Sequence, residues 1–263
     1  MPTVTNDGLL AVSELLGIQA LPFVLGVGPR QDTVEAWHAA RQEAYGELRA
    51  AGLIDTYDEV ETELATAVRV LAQPDRELVA RIHTETGTIR VCLARRGFEH
   101  AWATRSGSVF DIRTVWADEN GAVLARPLLK VLGPCSPAPV AGFSALADEL
   151  CVRFDGAKTS SDFAQALYTL GVADQGDAIE FGLAMSTCHA HAEIVAYAHR
   201  DGVTTQSSGA VAVYDTSRGR IVAGPGTDTD LRVWSTFTSG SDHRIGQAVS
   251  GLIESLPGGR WMP

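Results

Sequence analysis

Glu77-Leu-Val-Ala-Arg-Ile-His83 (ELVARIH) and Glu193-Ile-Val-Ala-Tyr-Ala-His199 (EIVAYAH) align without a gap at an offset of 193 − 77 = 116. Both are short β-rich runs. A second pair follows each: VCLARRG (Val91 to Gly97) matches VYDTSRG (Val213 to Gly219) at 213 − 91 = 122. The six extra residues are read as one longer hairpin loop in the second copy.

Outward from ELVARIH, the runs Thr88–Arg95, Phe98–Thr104 and Val109–Trp116 are separated by Gly87, Gly97 and Gly107, which suits hairpin turns and a four-stranded antiparallel meander. Helical periodicity lies before it. Leu9, Leu10, Val12, Leu15 and Leu16 follow a cap at Asn6 or Asp7; Val34, Trp37, Ala40, Ala44 and Leu48 form one stripe from Asp32 to Ala51; Val60, Leu64, Ala67, Val68 and Leu71 form another, closed by Pro74. Phe23-Val24-Leu25 reads as a short strand. After the meander, Val123–Leu132 has helical spacing, with Pro127 acceptable only in or near the first turn.

The second half repeats the order. Helices are expected near Ser144–Phe154, Ser160–Leu170 and Gln175–Met185, then a β-rich run from Ala192 to Phe237, then a helix over about Asp242–Leu256. The expectation is one α+β unit over residues 1–263, with a central, mainly antiparallel sheet and a pseudo-two-fold duplication. The halves are about 1–134 and 143–263, joined by the Pro-containing linker 135–142 (CSPAPVAG).

Composition excludes several function classes. The chain has 263 residues, 21 Lys+Arg against 32 Asp+Glu, and a net charge of −11. An acidic excess without a basic run argues against nucleic acid, whose recognition rests on neutralising phosphates, and against anionic membrane surfaces. Cys92, Cys135, Cys151 and Cys188 make no CxxC pair. The N-terminal stretch reaches Asn6, Asp7 and Glu14 too early for a signal peptide, and no run is long enough to span a bilayer, so the site of action is expected to be cytoplasmic.

Catalytic signals are sparse. Cys188, His189, His191 and Glu193 form C-H-x-H-x-E; on a regular strand His189, His191 and Glu193 would share a face and could form a two-histidine, one-carboxylate site. The competing reading is a wet strand face. Gly26-Val27-Gly28 lacks dinucleotide spacing, and neither a G-x-S-x-G elbow nor a Walker loop is present. Asp228 and Asp230 in GPGTDTD read as a solvated hairpin tip. Ile245, Val249, Leu252, Ile253 and Leu256 read as core, as do Trp37, Trp102 and Trp234. Trp261 is expected to fold back on the body, and Arg95-Arg96 and Arg218 to blunt hairpin turns.

Six phrases in order then resemble a known family: LLGIQALPFVLGVGP (Leu15–Pro29), ELRAAGLID (Glu47–Asp55), VRVLAQPDREL (Val68–Leu78), CLARRG (Cys92–Gly97), VAVYDTSRGRIV (Val211–Val222) and TFTSGSDHRIGQAVSGLIESLPGGRW (Thr236–Trp261). They are similar to the EspG family of type VII (ESX) secretion-associated proteins of mycobacteria and related actinobacteria. The resemblance implies a sheet flanked by two helical bundles. It also implies a cytosolic chaperone, not an enzyme, without cofactor or metal, that binds PE–PPE heterodimers and covers the apolar tip of the PPE protein before export. In that family the partner is held by the loop joining the second and third major strands, the adjacent sheet face and the C-terminal helical bundle. Here the loop corresponds to Thr84, Glu85, Thr86, Gly87 and Thr88, shorter than in some members, and the bundle to Phe163–Met185. A homodimer is also compatible with the sequence. The alternative from another class is a metal- or small-ligand-dependent enzyme centred on His189, His191 and Glu193.

Overall fold

The computed structural model describes residues 3–227 and 232–263; Asp228 and Asp230 therefore lie outside the described residues. In chain order the first half is β1 (Thr3–Thr5), α1 (Asn6–Leu15), α2 (Val34–Ala50), α3 (Thr62–Ala72), β2 (Arg76–Thr84), β3 (Gly87–Arg96), β4 (Glu99–Ser106), β5 (Val109–Val115) and α4 (Gly121–Leu132). The second half is β6 (Phe143–Leu146), α5 (Ala147–Phe154), α6 (Ser160–Leu170), α7 (Gln175–Met185), β7 (Cys188–Arg200), β8 (Val203–Gln206), β9 (Val211–Thr216), β10 (Gly219–Thr227), β11 (Val233–Ser239) and α8 (Asp242–Glu254).

These strands form one 11-stranded sheet in the order β1-β5-β4-β3-β2-β7-β9-β10-β11-β6, with β8 on β7. The order reads alike from both ends: a short edge strand, then a meander running back to the centre. At that centre β2 and β7 pair antiparallel with Val79 opposite Val195. The offset of 116 that aligns ELVARIH with EIVAYAH carries Val79 onto Val195 itself. A local two-fold axis therefore pierces the sheet at this pair.

The middle of one face of the sheet is packed by α4 and α8. Leu78, Ala80, Ile82, Leu93, Trp102, Ile194 and Val213 meet Leu124, Leu128, Ile245, Val249 and Leu252 there, all buried. The helices touch through glycine: a Cβ on Gly121 would lie 2.4 Å from the Gly246 carbonyl, and one on Gly246 would lie 2.9 Å from Ala122 Cα. Among the described residues, helices cover the opposite face towards its two ends, and the turn at Phe23–Leu25 lies on β2, β3 and β4 beside the first bundle. The bundle α1–α3 packs on Val79, Cys92, Ala101, Ala103 and Phe110, and α5–α7 packs on Phe143, Ile221, Ala223 and Phe237. Between the two bundles the middle of this face is left open.

Several local expectations change. Phe23-Val24-Leu25 is a single 3₁₀ turn rather than a strand, because Pro22 (φ −49°) caps it and Gly26 (φ 57°) turns the chain left-handed behind it. Residues 143–146 form β6, paired with β11 through Phe143↔Phe237, so α5 begins only at Ala147. Pro127 sits in the second turn of α4, which starts at Gly121 under the Asn120 cap; it denies the Val123 carbonyl its helical donor, and packing on α8 holds the helix regardless. The longer second hairpin connection is itself a strand, β8, folded back on β7 with Arg200↔Val203.

Burial also differs at particular residues. Trp102 is buried, but Trp37 and Trp234 are only half-buried, and α2, which packs on α1, buries just Ala44 and Leu48. Arg95 does not blunt a turn; it is buried and donates from Nη1 to the Gly97 carbonyl at 2.8 Å. Arg220 and Asp215 form a buried two-pronged pair at 2.5 and 2.7 Å, with Arg220 also reaching the Gly133 carbonyl at 3.0 Å. The 135–142 segment runs against the same arginine: Arg220 N donates to Ser136 O at 2.7 Å and Ala138 N to Arg220 O at 2.8 Å. Trp261 folds back into the α4–α8 core.

A candidate partner-binding face on the central sheet

Antiparallel partners directly opposite each other share a face. On the open face this rule aligns Arg81 with Glu193, His83 with His191, and Val79 with Val195. The hairpin expected to bind a partner closes one end of the strip. Thr84 and Gly87 are paired, so Glu85 and Thr86 alone make the turn. Thr84 Oγ1 bridges to Thr86 Oγ1 and donates to the Gly87 carbonyl, both at 3.0 Å; Glu85, Thr86, Gly87 and Thr88 are exposed and Thr84 is half-buried. Thr88 Oγ1 lies 3.1 Å from His83 Nδ1.

From that histidine a row of rings crosses the sheet. His83 stacks on His191 at 4.7 Å, His191 faces Tyr214 at 6.4 Å, and Tyr214 faces Phe237 at 6.2 Å. Phe237 belongs to a buried cluster with Phe143, Phe154 and Phe181 beneath α5–α7. The row thus joins the hairpin to the core of the C-terminal bundle. Burial lowers the pKa of His191 and His83 lowers it further, against Glu193; burial, with Cys188 and Glu193 nearby, pushes the Tyr214 phenol up to about 12. Both groups are neutral near pH 7.

Beside this row the face sinks into a cleft of about 570 Å³. Its floor is Val79, Val195 and Tyr197, with Leu71 at the α3 side; Leu21, Pro22 and Phe23 form one wall; Glu77, Arg81, Glu193 and His199 supply polar edges. Apolar floor with a polar margin is the make-up of a protein-binding surface.

The alternative site does not assemble. A bulge between Cys188 and Ala190 sets His189 apart from the regular alternation of β7, so His189, His191 and Glu193 do not share one face. Among the described residues no group of three or more His, Cys, Asp or Glu side chains is placed to hold a metal ion. Sequence reading had no handle on the cleft wall at Leu21–Phe23. The available signal was EIVAYAH, where Val195 and Tyr197 are apolar on the face opposite Ile194 and Ala196.

The EspG family model matches residues 5–251. The chain belongs to the EspG family. Among its relatives, the ESX-1 secretion-associated protein EspG1 of Mycobacterium tuberculosis is 29% identical, over 98% of this chain and 88% of that protein. The ESX-3 secretion-associated protein EspG3 of Mycolicibacterium smegmatis is 26% identical, over 99% and 88%. The fold matches that of the Mycobacterium tuberculosis type VII secretion system chaperone EspG5, solved in complex with a PE25–PPE41 dimer. The TM-score is 0.82 at 21% identity, covering 99% of this chain and 98% of that one. Among the described residues no helix is long and apolar enough to cross a membrane.

Proposed function

We propose that this EspG-family chain is a cytosolic chaperone that binds a PE–PPE heterodimer, shields the apolar tip of the PPE protein and keeps it soluble before export by a type VII (ESX) system. The observation that carries the reading is the cleft at the centre of one sheet face, between the two helical bundles, apolar on its floor at Val79, Val195 and Tyr197 and bordered by charged groups. An exposed apolar tip larger than a few hundred Å² drives association in water, and a rigid sheet face offers a complementary surface without ordering cost. Thr84, Glu85, Thr86, Gly87 and Thr88 project beside that strip and are the proposed hairpin contact.

No reaction is assigned to the site. His83 stacks on His191 and His199 lies 3.5 Å from Glu77 within the sheet, and a binding role needs neither metal nor cofactor. The same proposal treats residues 1–263 as one functional unit whose halves, 1–134 and 143–263, meet at the Val79–Val195 axis, with 135–142 between them. The test is the soluble fraction of a PPE protein produced with its PE partner, with and without this chain. The chaperone role requires a large gain in soluble PPE when the chain is present; equal solubility in both cases removes it.

A further inference from the structure

Within LLGIQALPFVLGVGP the polar clamps fall on the backbone rather than on side chains. Arg90 Nη1 donates to the Val24 carbonyl at 3.1 Å, and Arg105 Nη1 donates to the Leu25 and Gly26 carbonyls at 2.6 Å each. The buried Asn6 donates from Nδ2 to the Gly28 carbonyl at 2.9 Å. Gly26 turns at φ 57°, the left-handed region that favours glycine, and a Cβ there would lie 2.9 Å from Arg105 Nη1. Beneath the turn Val24 and Leu25 are buried, yet Phe23, between Pro22 and Val24, is 88% exposed.

A single exposed apolar residue is ordinary on a protein surface. This one is held differently. Three side chains from α1, β3 and β4 fix the backbone around it, and it stands at the lip of the cleft whose floor is Val79, Val195 and Tyr197. A large ring on an immobilised turn loses little conformational freedom on burial, the property that distinguishes anchor residues in interfaces. Phe98 and Trp116, 78% and 77% exposed, do not line this cleft.

We infer that Phe23 is a partner anchor: with Leu21 and Pro22 it forms the N-terminal wall of the binding face and packs against an apolar side chain of the PPE protein's helical tip, seated in the cleft. This rests on the chaperone reading and extends it, since it places part of the contact on the N-terminal half, across the Val79–Val195 axis from the C-terminal bundle. The occupant follows from continuity: Arg81 and Glu193 line the cleft and adjoin His83 and His191, which lead to the 84–88 hairpin.

The test measures binding of the purified chain to a PE–PPE heterodimer encoded beside its gene, comparing wild type, Phe23→Ala and Phe98→Ala, with thermal melting of each. The expected result is at least a tenfold rise in Kd for Phe23→Ala, unchanged melting, and wild-type binding by Phe98→Ala. Wild-type affinity in Phe23→Ala, or equal weakening in both variants, overturns the anchor while leaving the chaperone reading standing. Failure of the wild type itself to bind overturns both. Amide exchange gives an independent reading: residues 23–27 must gain protection in the complex, and unchanged exchange there contradicts the assignment.

Discussion

The indole N–H of Trp261 donates to Nε2 of His100 at 3.0 Å, joining the last residues of the chain to β4. Both side chains are buried. Accepting at Nε2 requires a neutral imidazole, and burial lowers the His100 pKa below 6.5, with Arg95 lowering it further against a hydrogen bond to the Phe98 backbone. The folded-state pKa therefore lies below the unfolded one. The contribution is complete above about pH 6.5 and is lost as pH falls below it, because the unfolded chain binds the proton first. Urea midpoints measured from pH 8 to pH 5.5 should fall on the acid side, and His100→Gln should flatten that fall, leaving the share that His191 contributes with the same sign. Trp261→Ala should cost about 3–5 kcal/mol at neutral pH.

Arg220 and Asp215 make a buried ion pair that also holds residues 136–138 and Gly133. Removing one partner leaves the other charged and unpaired, which typically costs about 3–5 kcal/mol. Asp215→Ala should lower the denaturation midpoint accordingly. Arg220→Lys should recover only part of the loss, since an ammonium cannot reproduce the fork.

Two glycines of α8 should respond in opposite directions. Gly246→Ala places a methyl against the α4 backbone and should destabilise by about 1–3 kcal/mol. Gly251→Ala meets nothing within 4 Å and should stabilise by up to about 1 kcal/mol through helix propensity. Thermal melting of the two variants decides it.

Much of the architecture was legible in the sequence because the paired heptapeptides, the glycine turns and the helical stripes each obey a local rule. The antiparallel meander, the closing helices and the sheet they cover follow from those rules. What was not legible depended on long-range partners. Phe143–Leu146 has helical neighbours in sequence and becomes a strand because the edge of β11 is there to pair with it. Pro22 and Gly26 bound the 3₁₀ turn at Phe23–Leu25, and Arg90 and Arg105, distant in the chain, hold it in place through its carbonyls. The hairpin Thr84–Thr88 was locatable from its flanking strands, whereas the cleft beside it is made by segments from both halves. His189, His191 and Glu193 suggested a shared face only under regular alternation, which the bulge after Cys188 breaks.

The hairpin should act on binding alone. Glu85 and Thr86 are exposed and make the whole turn. Replacing both with bulky cations, Glu85→Arg with Thr86→Arg, should raise the Kd for a PE–PPE heterodimer by roughly tenfold, the scale of one interface contact of about 1.4 kcal/mol, without shifting the melting temperature.

The most direct measurement is size-exclusion chromatography with mass determination on this chain co-expressed with a PE–PPE pair encoded beside its gene. The account predicts a stable complex containing one copy each of this chain, the PE protein and the PPE protein. A well-folded chain that elutes apart from every such pair would contradict it.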